Sequence, residues 1–338
     1  MSGTPIRLGF DSYSIRDFRW RDIQLIDYAA SLKLDTIQLS GLEDYESLEP
    51  AHLAKVKDHA ARVGIAIDAG TGCICPLSKG WNAANGNPTD YLRKSLRVAK
   101  AVGASSMRCY MGSSADRPNL ERCMEATIQG LRSVRSEALD LGVRIAIENH
   151  AGDMQARETK LLIEEAGKDF VGSNLDSGNP MWVVEDPLVT LETLAPYVVT
   201  THIRDSAVCE HPRGAAAQWV ALGDGSINLK RFVELYRKLC PQAGMQLEII
   251  TGRPPQVLAY LEEDFWKVFP NARAWEFARF VDLAKNGHPY LGPMVIGGPP
   301  AEQSPAIKAA LKEQQRTDLE RSLEYAKKVL DVGVRWRG

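Results

Sequence analysis

Short apolar runs of β character alternate along this chain with longer stretches in which apolar residues recur at a helical period. In the stretch that begins at residue 21, for example, Ile23, Ile26, Ala29 and Leu34 fall on one face of a helix. Eight runs predict strands, at 6–13, 35–40, 64–70, 105–112, 143–150, 170–178, 198–206 and 245–251. The intervening stretches predict helices at 21–33, 50–63, 88–102, 119–141, 156–167, 187–195 and 228–239.

This alternation predicts an α/β fold of eight βα units, the arrangement of a (β/α)8 TIM barrel. Glycine follows several of the helices, as in ARVG and DLGV, which is typical of helices that end in a left-handed cap. An open doubly wound sheet is the competing architecture. No G-x-G-x-x-G motif follows the first strand, however, and eight units are more than that fold normally uses. We therefore expect a barrel, with residues 1–338 as a single domain.

One region departs from an even barrel. Residues 252–300 are rich in proline and aromatic residues, and a long amphipathic helical pattern follows, from about 302 to 332. We interpret 301–338 as the C-terminal helix that closes the barrel and 252–300 as an enlarged eighth βα loop, which would lie at the mouth of an active site. This loop is either a lid or substrate wall, or an elaboration for packing or a dimer interface. If its aromatic residues are exposed they favour self-association, so we expect a homo-oligomer, either a dimer or a tetramer.

The overall composition excludes several classes of protein. A formal net charge of -2 gives no basic surface for nucleic acid or an anionic membrane, and the apolar runs fall short of the roughly 20 residues of a membrane span. The first ten residues contain no apolar signal region. The six cysteines, at 73, 75, 109, 123, 209 and 240, lack the spacing of a zinc site. We therefore expect a cytoplasmic protein with free thiols that binds neither nucleic acid nor membrane.

Four consecutive predicted strands end in side chains that can bind a metal. The fifth ends in Glu148 and His150, the sixth in Asp176 and the seventh in His202, and the eighth carries Glu248. In a parallel barrel the carboxyl ends of all strands open on one face, so we expect these side chains to converge. The alternation along RIAIENH and QLEII places Glu148, His150 and Glu248 toward the lumen.

Three carboxylates in such a cluster would repel one another and resist ionisation. A divalent cation removes that problem because it neutralises the charge and satisfies the buried oxygens. Three oxygen donors and one imidazole suit Mn²⁺, Mg²⁺ or Co²⁺, while Zn²⁺ and Fe²⁺ also accept such a set. We expect one divalent metal ion, with Mn²⁺ as the first choice.

The motifs around these positions resemble the xylose-isomerase-like TIM-barrel superfamily, which contains sugar phosphate isomerase/epimerase-type proteins, ketose 3-epimerases and endonuclease IV. They are IENH in strand five, NLDSGNP in strand six, THIRD in strand seven, LGDGSIN before the next helix and LEI in strand eight. The resemblance covers roughly residues 5–250 and is specific in the spacing from Glu148 to Glu248. Matched to the ketose 3-epimerases, it implies Glu148, Asp176, His202 and Glu248 as metal ligands and the two glutamates as catalytic acid and base.

Three positions depart from the pattern of the ketose 3-epimerases. Asn179 stands where those enzymes carry a histidine, Val208 replaces an arginine, and Met154 replaces a glutamate. The metal ligands are thus kept while the residues that contact the sugar differ. Endonuclease IV assembles three metals with several additional histidines, and the six histidines here count against that reading and against DNA repair.

Other side chains near the strand ends are candidates for contact with a substrate. His150 is a third candidate catalytic group, and Arg204 either binds substrate or pairs with Asp205. The remaining candidates for substrate contact are Asn179, Arg108, Arg253 and Trp182, with Trp219 and Trp266 as further stacking surfaces unless they pack in the core. If Arg204 and Arg253 both face the cavity, the substrate can be an anionic sugar acid.

Together these residues predict a metal-dependent isomerase or epimerase that acts on a keto-sugar or a sugar acid through a metal-stabilised enediolate. The alternative is a lyase, dehydratase or decarboxylase that uses the same metal site on an oxidised sugar, such as a 3-keto-glycoside or an oxo sugar acid. A second alternative is a non-catalytic sugar-binding barrel subunit. In each case the expected partner is a small sugar.

Overall fold

The computed structural model describes residues 5–338. Residues 1–4, the start of the stretch searched for a signal region, lie outside the described residues. The strands are β1 (Leu8–Asp11), β2 (Thr36–Leu39), β3 (Ala66–Cys73), β4 (Ser106–Tyr110), β5 (Arg144–Glu148), β6 (Val171–Asp176), β7 (Val198–His202), β8 (Asp205–His211), β9 (Gly214–Val220), β10 (Met245–Leu247) and β11 (Gln256–Leu258). The α-helices are α1 (Asp22–Ser31), α2 (Pro50–Val63), α3 (Pro88–Ala101), α4 (Leu120–Arg132), α5 (Arg135–Leu141), α6 (Ala156–Ala166), α7 (Pro187–Leu194), α8 (Leu229–Leu239), α9 (Glu263–Trp266), α10 (Ala274–Asn286) and α11 (Pro305–Lys328).

Eight of the strands form a parallel barrel. They follow the order β10-β1-β2-β3-β4-β5-β6-β7, and each neighbouring pair is parallel. The two ends of this order meet at Ile203, directly after β7. Its N–H donates to the carbonyl of Gln246 at 2.7 Å, and its own carbonyl accepts from the N–H of Glu248 at 3.2 Å. The TIM barrel predicted from the sequence is thereby confirmed.

The apolar residues of the strands and helices meet in one core between the barrel and its outer layer. Ile145 and Ile147 of β5 belong to this core, and Phe232 and Tyr236 of α8 pack into it from outside. The glycine caps expected from the sequence are present as well. Gly64, for instance, ends α2 with φ 74°, a left-handed conformation that a side chain would strain.

The connection after β7 is larger than the sequence pattern predicts. One strand was expected over 198–206, but β7 ends at His202 and β8 begins at Asp205. β8 pairs antiparallel with β9, which in turn pairs with β11, so a second, three-stranded sheet lies beside the barrel. The prediction was wrong because β-forming residues continue through the break at Arg204, where neither glycine nor proline marks a turn.

The helix predicted over 119–141 is also divided. Ser133 and Val134 separate α4 from α5, and Val134 has a non-helical conformation with φ -111° and ψ 7°. An amphipathic pattern does not reveal such a break, because the apolar face continues on both sides of it. Within residues 5–338, none of the helices is both long enough and apolar enough to cross a membrane.

The segment 252–300 carries β11, α9 and α10. Its side chains Trp275 and Leu291 are 55% and 89% exposed. The long helix α11 follows and contacts the start of the chain, where Nε2 of Gln315 donates to Oδ2 of Asp17 at 3.0 Å. The single domain, the role of 252–300 as a lid or an interface, and self-association stay predictions.

Candidate active site

Four candidate metal ligands converge at the carboxyl ends of the barrel strands. Glu148 ends β5, Asp176 ends β6, His202 ends β7, and Glu248 directly follows β10. One candidate ligand atom from each residue lies within 4.8 Å of the others. The first three side chains are completely buried, and Glu248 is 4% exposed. The structure therefore brings together the four side chains that the sequence placed at one end of the barrel.

The amide of Asn149 fixes the end of β6 against the end of β5. Its Oδ1 accepts from the backbone N–H of Asp176, and its Nδ2 donates to the carbonyl of Asp176, both at 2.9 Å. The carboxylate of Asp176 is held in turn, because its Oδ1 accepts from the N–H groups of Gly178 and Asn179 at 2.7 and 2.6 Å. Only Oδ2 of Asp176 is then left for the cluster.

The imidazole of His202 is oriented by a residue on β2. Its Nε2 lies 2.5 Å from Oε1 of Gln38, and since that amide oxygen can only accept, Nε2 carries the proton. The other ring nitrogen, Nδ1, lies 3.4 Å from the carboxylate of Glu148 and 3.3 Å from that of Glu248. Burial opposes protonation of His202, but the charges of Glu248 and Glu148 raise its pKa well above the usual range, so the imidazole in this structure is a cation. A divalent ion would replace the proton on Nδ1, and the bond to Gln38 would keep the proton on Nε2, which is how proteins present a histidine to a metal.

The donor atoms of this cluster fit a divalent cation. Oδ2 of Asp176 and Oε2 of Glu248 are buried and contact Arg204 in ion pairs that lack hydrogen-bond geometry, and Nδ1 of His202 has no hydrogen-bond partner among the described residues. A divalent ion in place of the Arg204 guanidinium would neutralise the same two oxygens and would also satisfy the imidazole nitrogen. Carboxylate oxygens with one imidazole suit Mn²⁺, Mg²⁺ or Co²⁺, and Zn²⁺ is compatible with the same set.

Two buried arginines lie against the same carboxylates. Nε of Arg108, on β4, donates to Oε2 of Glu148 at 2.6 Å. Nη2 of Arg204 forms ion pairs with Asp176 and Glu248 and lies 3.4 Å from Oε1 of Glu148. Arg204 does not pair with Asp205, the alternative considered from the sequence. The Asp205 carboxylate instead accepts hydrogen bonds from backbone N–H groups, including that of Gly223 at 3.0 Å.

These cations set the ionisation of the acidic groups. Burial acts to raise the pKa of Glu148, but the charges of Arg108 and then His202 hold it well below its usual range. Burial opposes ionisation of Glu248 as well, yet Arg204 and His202 lower its pKa to about 2. For Asp176 the effect of burial is larger than the opposing effect of Arg204, and the negative charges of Glu148 and Glu248 add to it, so its pKa rises to about 7. Both glutamates are thus ionised at neutral pH.

A cavity of about 800 Å³ opens at this cluster. Glu248 lines it, whereas the other three candidate ligands are fully buried. The other predicted site residues that line it are Arg108, His150, Asn179, Trp182, Arg204 and Arg253. Arg204 and Arg253 thus both face the cavity, which is the condition under which an anionic substrate was expected from the sequence.

A sequence profile described as "Xylose isomerase-like TIM barrel" matches residues 26–262, well over half of the chain. The chain belongs to this family. The resemblance inferred from its motifs is thereby confirmed.

Relatives of the barrel have different activities. A 3-oxo-isoapionate decarboxylase from Pectobacterium atrosepticum is 24% identical over 183 residues, which are 54% of this chain and 60% of that protein. The chain thus spans less than two thirds of the length of that relative. A D-psicose 3-epimerase, solved in the presence of D-fructose, superposes with a TM-score of 0.61 at 16% identity and covers 96% of this chain and 99% of its own. A xylose isomerase-like protein from Mycobacterium smegmatis in complex with magnesium superposes with a TM-score of 0.58 at 14% identity. The superposition covers 84% of this chain and 98% of that protein. At these identities the likeness of the two structures shows the fold.

His150 lies just beyond β5 of this xylose isomerase-like barrel. Its ring stacks on Tyr110, with centroids 4.0 Å apart and an interplanar angle of 15°. Its Nδ1 is 2.7 Å from the carbonyl of Gly112, so Nδ1 carries a proton and Nε2 is left as an acceptor. Burial lowers the pKa of His150, which favours this neutral form.

Two tryptophans, Trp182 after β6 and Trp219 on β9, form one aromatic wall of the cavity. The rings of Trp182 and Trp219 stack with centroids 4.0 Å apart, and both residues line the cavity. Nε1 of Trp182 donates to Oε1 of Gln256 at 2.6 Å, which ties the wall to β11. Trp266 is elsewhere, since its ring packs edge-on against Phe277 within the 252–300 segment.

The sequence reasoning missed Gln38, Tyr110 and Gly72. Gln38 lies near the end of a barrel strand, in DTIQLS. A search for charged or imidazole ligands does not identify it, because its amide only supports the ligand His202. Tyr110 and Gly72 line the cavity, but nothing in their local pattern separates them from core residues. At two of the three positions that depart from the ketose 3-epimerases, Met154 and Val208 are buried side chains.

Proposed function

We propose that this chain is a divalent-metal-dependent isomerase or epimerase that acts on a keto-sugar or a keto sugar acid. The observation that carries the proposal is the buried cluster of three carboxylates and one oriented imidazole beside a cavity that arginine and tryptophan side chains line. Three buried carboxylates and an imidazole nitrogen without a hydrogen-bond partner suit a divalent cation, and family membership supports sugar chemistry.

The residues that would hold the ion are Glu148, Asp176, His202 and Glu248. An ion held there would supply Lewis acidity, which would polarise a substrate carbonyl and lower the pKa of the neighbouring C–H group. Gln38 and Asn149 keep His202 and Asp176 in the orientation that such an ion requires.

Isomerisation and epimerisation both need a group that removes a proton from carbon and a group that returns one. Glu248 is ionised and lines the cavity, and Nε2 of His150 is an acceptor on the same cavity wall. Glu148, the second glutamate of the predicted pair, is completely buried, with Arg108 and Asn179 bonded to its carboxylate oxygens. We therefore assign proton removal to Glu248, whose carboxyl group then carries the proton that isomerisation returns to the neighbouring carbon. His150 is the second proton-transfer group, and to return a proton its Nε2 must first take one up. Glu148 has the role of ligand, with acid–base work as a secondary one.

The lining of the cavity supports a polar, hydroxylated substrate with an acidic group. Arg108, Arg204 and Arg253 place three guanidinium groups around it, and guanidinium binds carboxylate in a two-point fashion. The stacked pair Trp182 and Trp219 offers the flat apolar surface on which a sugar face packs.

The same features favour one second candidate, a decarboxylase that acts on an oxo sugar acid. Loss of CO₂ from a β-keto acid needs a cation at the carbonyl that becomes the enolate and a group that then protonates the enolate carbon, and it needs no base for a C–H proton. Arg253 lines the cavity without an ion pair among the described residues, so it is the arginine best placed to bind the carboxylate of such a substrate before CO₂ leaves. The relative from Pectobacterium atrosepticum named a 3-oxo-isoapionate decarboxylase supports this candidate.

Incubation of the Mn²⁺-loaded protein with keto-sugars and keto sugar acids in D₂O tests the proposal. An isomerase or epimerase incorporates deuterium next to the carbonyl and keeps the carbon skeleton, which NMR and mass spectrometry detect. Release of CO₂ supports the decarboxylase instead. A protein that takes up no divalent ion after purification without chelator would be a sugar-binding barrel at most, and both proposals would be wrong.

Variants connect the activity to the cluster. We expect Glu248→Gln to lower kcat by roughly three orders of magnitude or more, because it removes a ligand charge and an acid–base group together. The exposed residue Glu263 on α9 has no ion pair among the described residues, so Glu263→Gln is the matched control. Near-wild-type turnover of Glu248→Gln contradicts its assignment.

A further inference from the structure

A second cavity adjoins the one at the four-ligand cluster. It has a volume of about 640 Å³, against about 800 Å³ for the first. The two cavities share Glu43, Gly72 and Tyr110 as wall residues, so they are two compartments of one cleft. Ligand-binding cavities in proteins usually measure roughly 300–1,000 Å³, and each compartment reaches that range by itself.

The second compartment lies over a different part of the barrel mouth. The candidate metal ligands belong to β5, β6, β7 and β10, whereas the second compartment is built after β2, β3 and β4. Glu43 follows β2, Gly72 and Asn85 come from β3 and the loop that follows it, and Tyr110 ends β4. A ligand anchored at the cluster would therefore reach across the barrel mouth to enter the second compartment.

The walls of the second compartment are polar and of mixed charge. Within residues 5–338, the side chains of Asn85 and Lys94 have no hydrogen-bond or ion-pair partner. Asn82 uses its Oδ1 to accept from the N–H of Ala84 at 3.0 Å, which leaves its amide N–H groups to donate. Lys94 is the cation of the compartment and Glu43 and Asp90 are its anions, so a neutral hydroxylated group suits it better than a strong anion or an apolar group.

We propose that the second compartment binds a second sugar unit, so that the substrate is a disaccharide or another sugar glycoside. Its keto-sugar or sugar-acid unit occupies the first compartment, next to Glu248 and His150. This inference rests on the proposed function, because that function places the reacting unit at the cluster. The hydroxyl groups of the second unit would bond to Asn82, Asn85 and Lys94.

Gly72 stands at the junction of the two compartments. A Cβ atom at this position meets only the hydroxyl oxygens of Tyr110 and Tyr91, both at 4.0 Å, and its backbone is not in the left-handed region. A leucine is therefore tolerated by the backbone there, and its side chain would fill the passage between the compartments. Gly130 on α4 has no atom within 4 Å of its Cβ position, which makes Gly130→Leu a matched control.

Titration calorimetry on the Mn²⁺-loaded protein tests the proposal with paired probes. D-fructose is compared with isomaltulose, its glucosyl derivative, and D-gluconate with maltobionate. We expect the disaccharide of at least one pair to bind roughly tenfold or more tightly than its parent monosaccharide. Gly72→Leu removes that preference and Lys94→Met reduces it, while Gly130→Leu and Lys100→Met retain it. Lys100 is an exposed lysine of the same helix, α3, outside the compartment.

Two results would overturn the inference, and they differ in what they say about the proposed function. If monosaccharides bind as tightly as their disaccharides, or if Gly72→Leu weakens both to the same extent, the second compartment does not hold a sugar and the proposed function stands. If the protein takes up Mn²⁺ but binds none of the four sugars, the substrate class of the proposed function fails and the inference fails with it.

Discussion

The Nε2 atom of His202 lies 2.5 Å from Oε1 of Gln38, across the interior of the barrel from β7 to β2. Because the amide oxygen fixes the tautomer, it leaves Nδ1 of His202 for the cluster. We expect Gln38→Met to weaken Mn²⁺ binding by roughly 10- to 100-fold, the usual cost of losing such a supporting bond. Titration calorimetry on chelator-treated protein measures the change.

The matched control for this variant is Gln246→Met. Gln246 is also buried in the barrel interior, but its amide bonds to Thr36 and Asp68 at 2.9 and 2.8 Å rather than to a candidate ligand. Both variants lose a buried hydrogen bond and some stability. If Gln246→Met weakens Mn²⁺ binding as much as Gln38→Met does, the effect is one of stability and not of ligand orientation.

Arg204 and a divalent ion share the same carboxylates. Its guanidinium pairs with Asp176 and Glu248 and lies close to Glu148, so a cation that binds there competes with it. We expect Arg204→Met to lower the melting temperature of metal-free protein, because buried negative charges lose their partner. Its affinity for Mn²⁺ rises by roughly tenfold or more for the same reason. Differential scanning calorimetry with and without Mn²⁺ measures both effects.

Arg253→Met serves as the control, since Arg253 lines the cavity without an ion pair to the cluster among the described residues. A lower affinity of Arg204→Met for Mn²⁺ would mean that Arg204 supports the ion instead of competing with it.

Much of this site was predictable because a parallel barrel turns separate strand ends into one surface. Glu148, Asp176, His202 and Glu248 are far apart in the sequence, but each ends a recognisable strand, so their meeting follows from the fold. Gln38 was not predictable on the same grounds, because its role depends on a contact across the barrel to one ring nitrogen.

The hairpin of β8 and β9 shows the same limit. Its first strand reads as a continuation of β7, and only the hydrogen bonds of the folded chain separate the two. As a consequence, the sequence named Trp219 as a stacking candidate without the strand that brings it against Trp182. Local patterns identify strands, but they do not tell which sheet a strand joins.

The aromatic wall gives a prediction about substrate binding. Trp219 stacks on Trp182, and the guanidinium of Arg204 lies 5.4 Å from its ring centroid, so the side chain contributes to the shape and to the charge of the cavity. We expect Trp219→Ala to raise KM by roughly tenfold with a smaller change in kcat, because it removes a binding surface and no reacting group. Steady-state kinetics on whichever sugar shows turnover measures the two constants separately.

Trp219→Phe should recover part of the loss, since it restores an aromatic face. Trp275→Ala is the control, because Trp275 is an exposed side chain of α10. A Trp219→Ala variant that loses kcat and keeps KM would place this residue in the chemical step instead.

Glu185, a buried carboxyl group that is not part of the cluster, predicts how stability depends on pH. Glu185 is 1% exposed, and its Oε1 accepts from the hydroxyl of Thr190 at 2.5 Å. Burial raises its pKa to about 7, and the negative charges of Glu276 and Glu158 add to the shift. In the unfolded chain the same group has a pKa near 4.5. Between about pH 4.5 and 7, therefore, Glu185 is protonated in the folded protein but ionised in the unfolded chain.

The contribution of Glu185 to stability is therefore complete below about pH 4.5 and is lost as the pH rises through about 7. Glu185→Gln cannot ionise, so it lacks this dependence. We expect the melting temperature of the wild type, relative to Glu185→Gln, to fall by several degrees between about pH 5 and 8, which corresponds to roughly 3 kcal/mol. Calorimetric scans of both proteins across this range measure the difference, with the exposed substitution Glu165→Gln as the control. Parallel curves for the wild type and Glu185→Gln would show that Glu185 keeps an ordinary pKa in the folded protein.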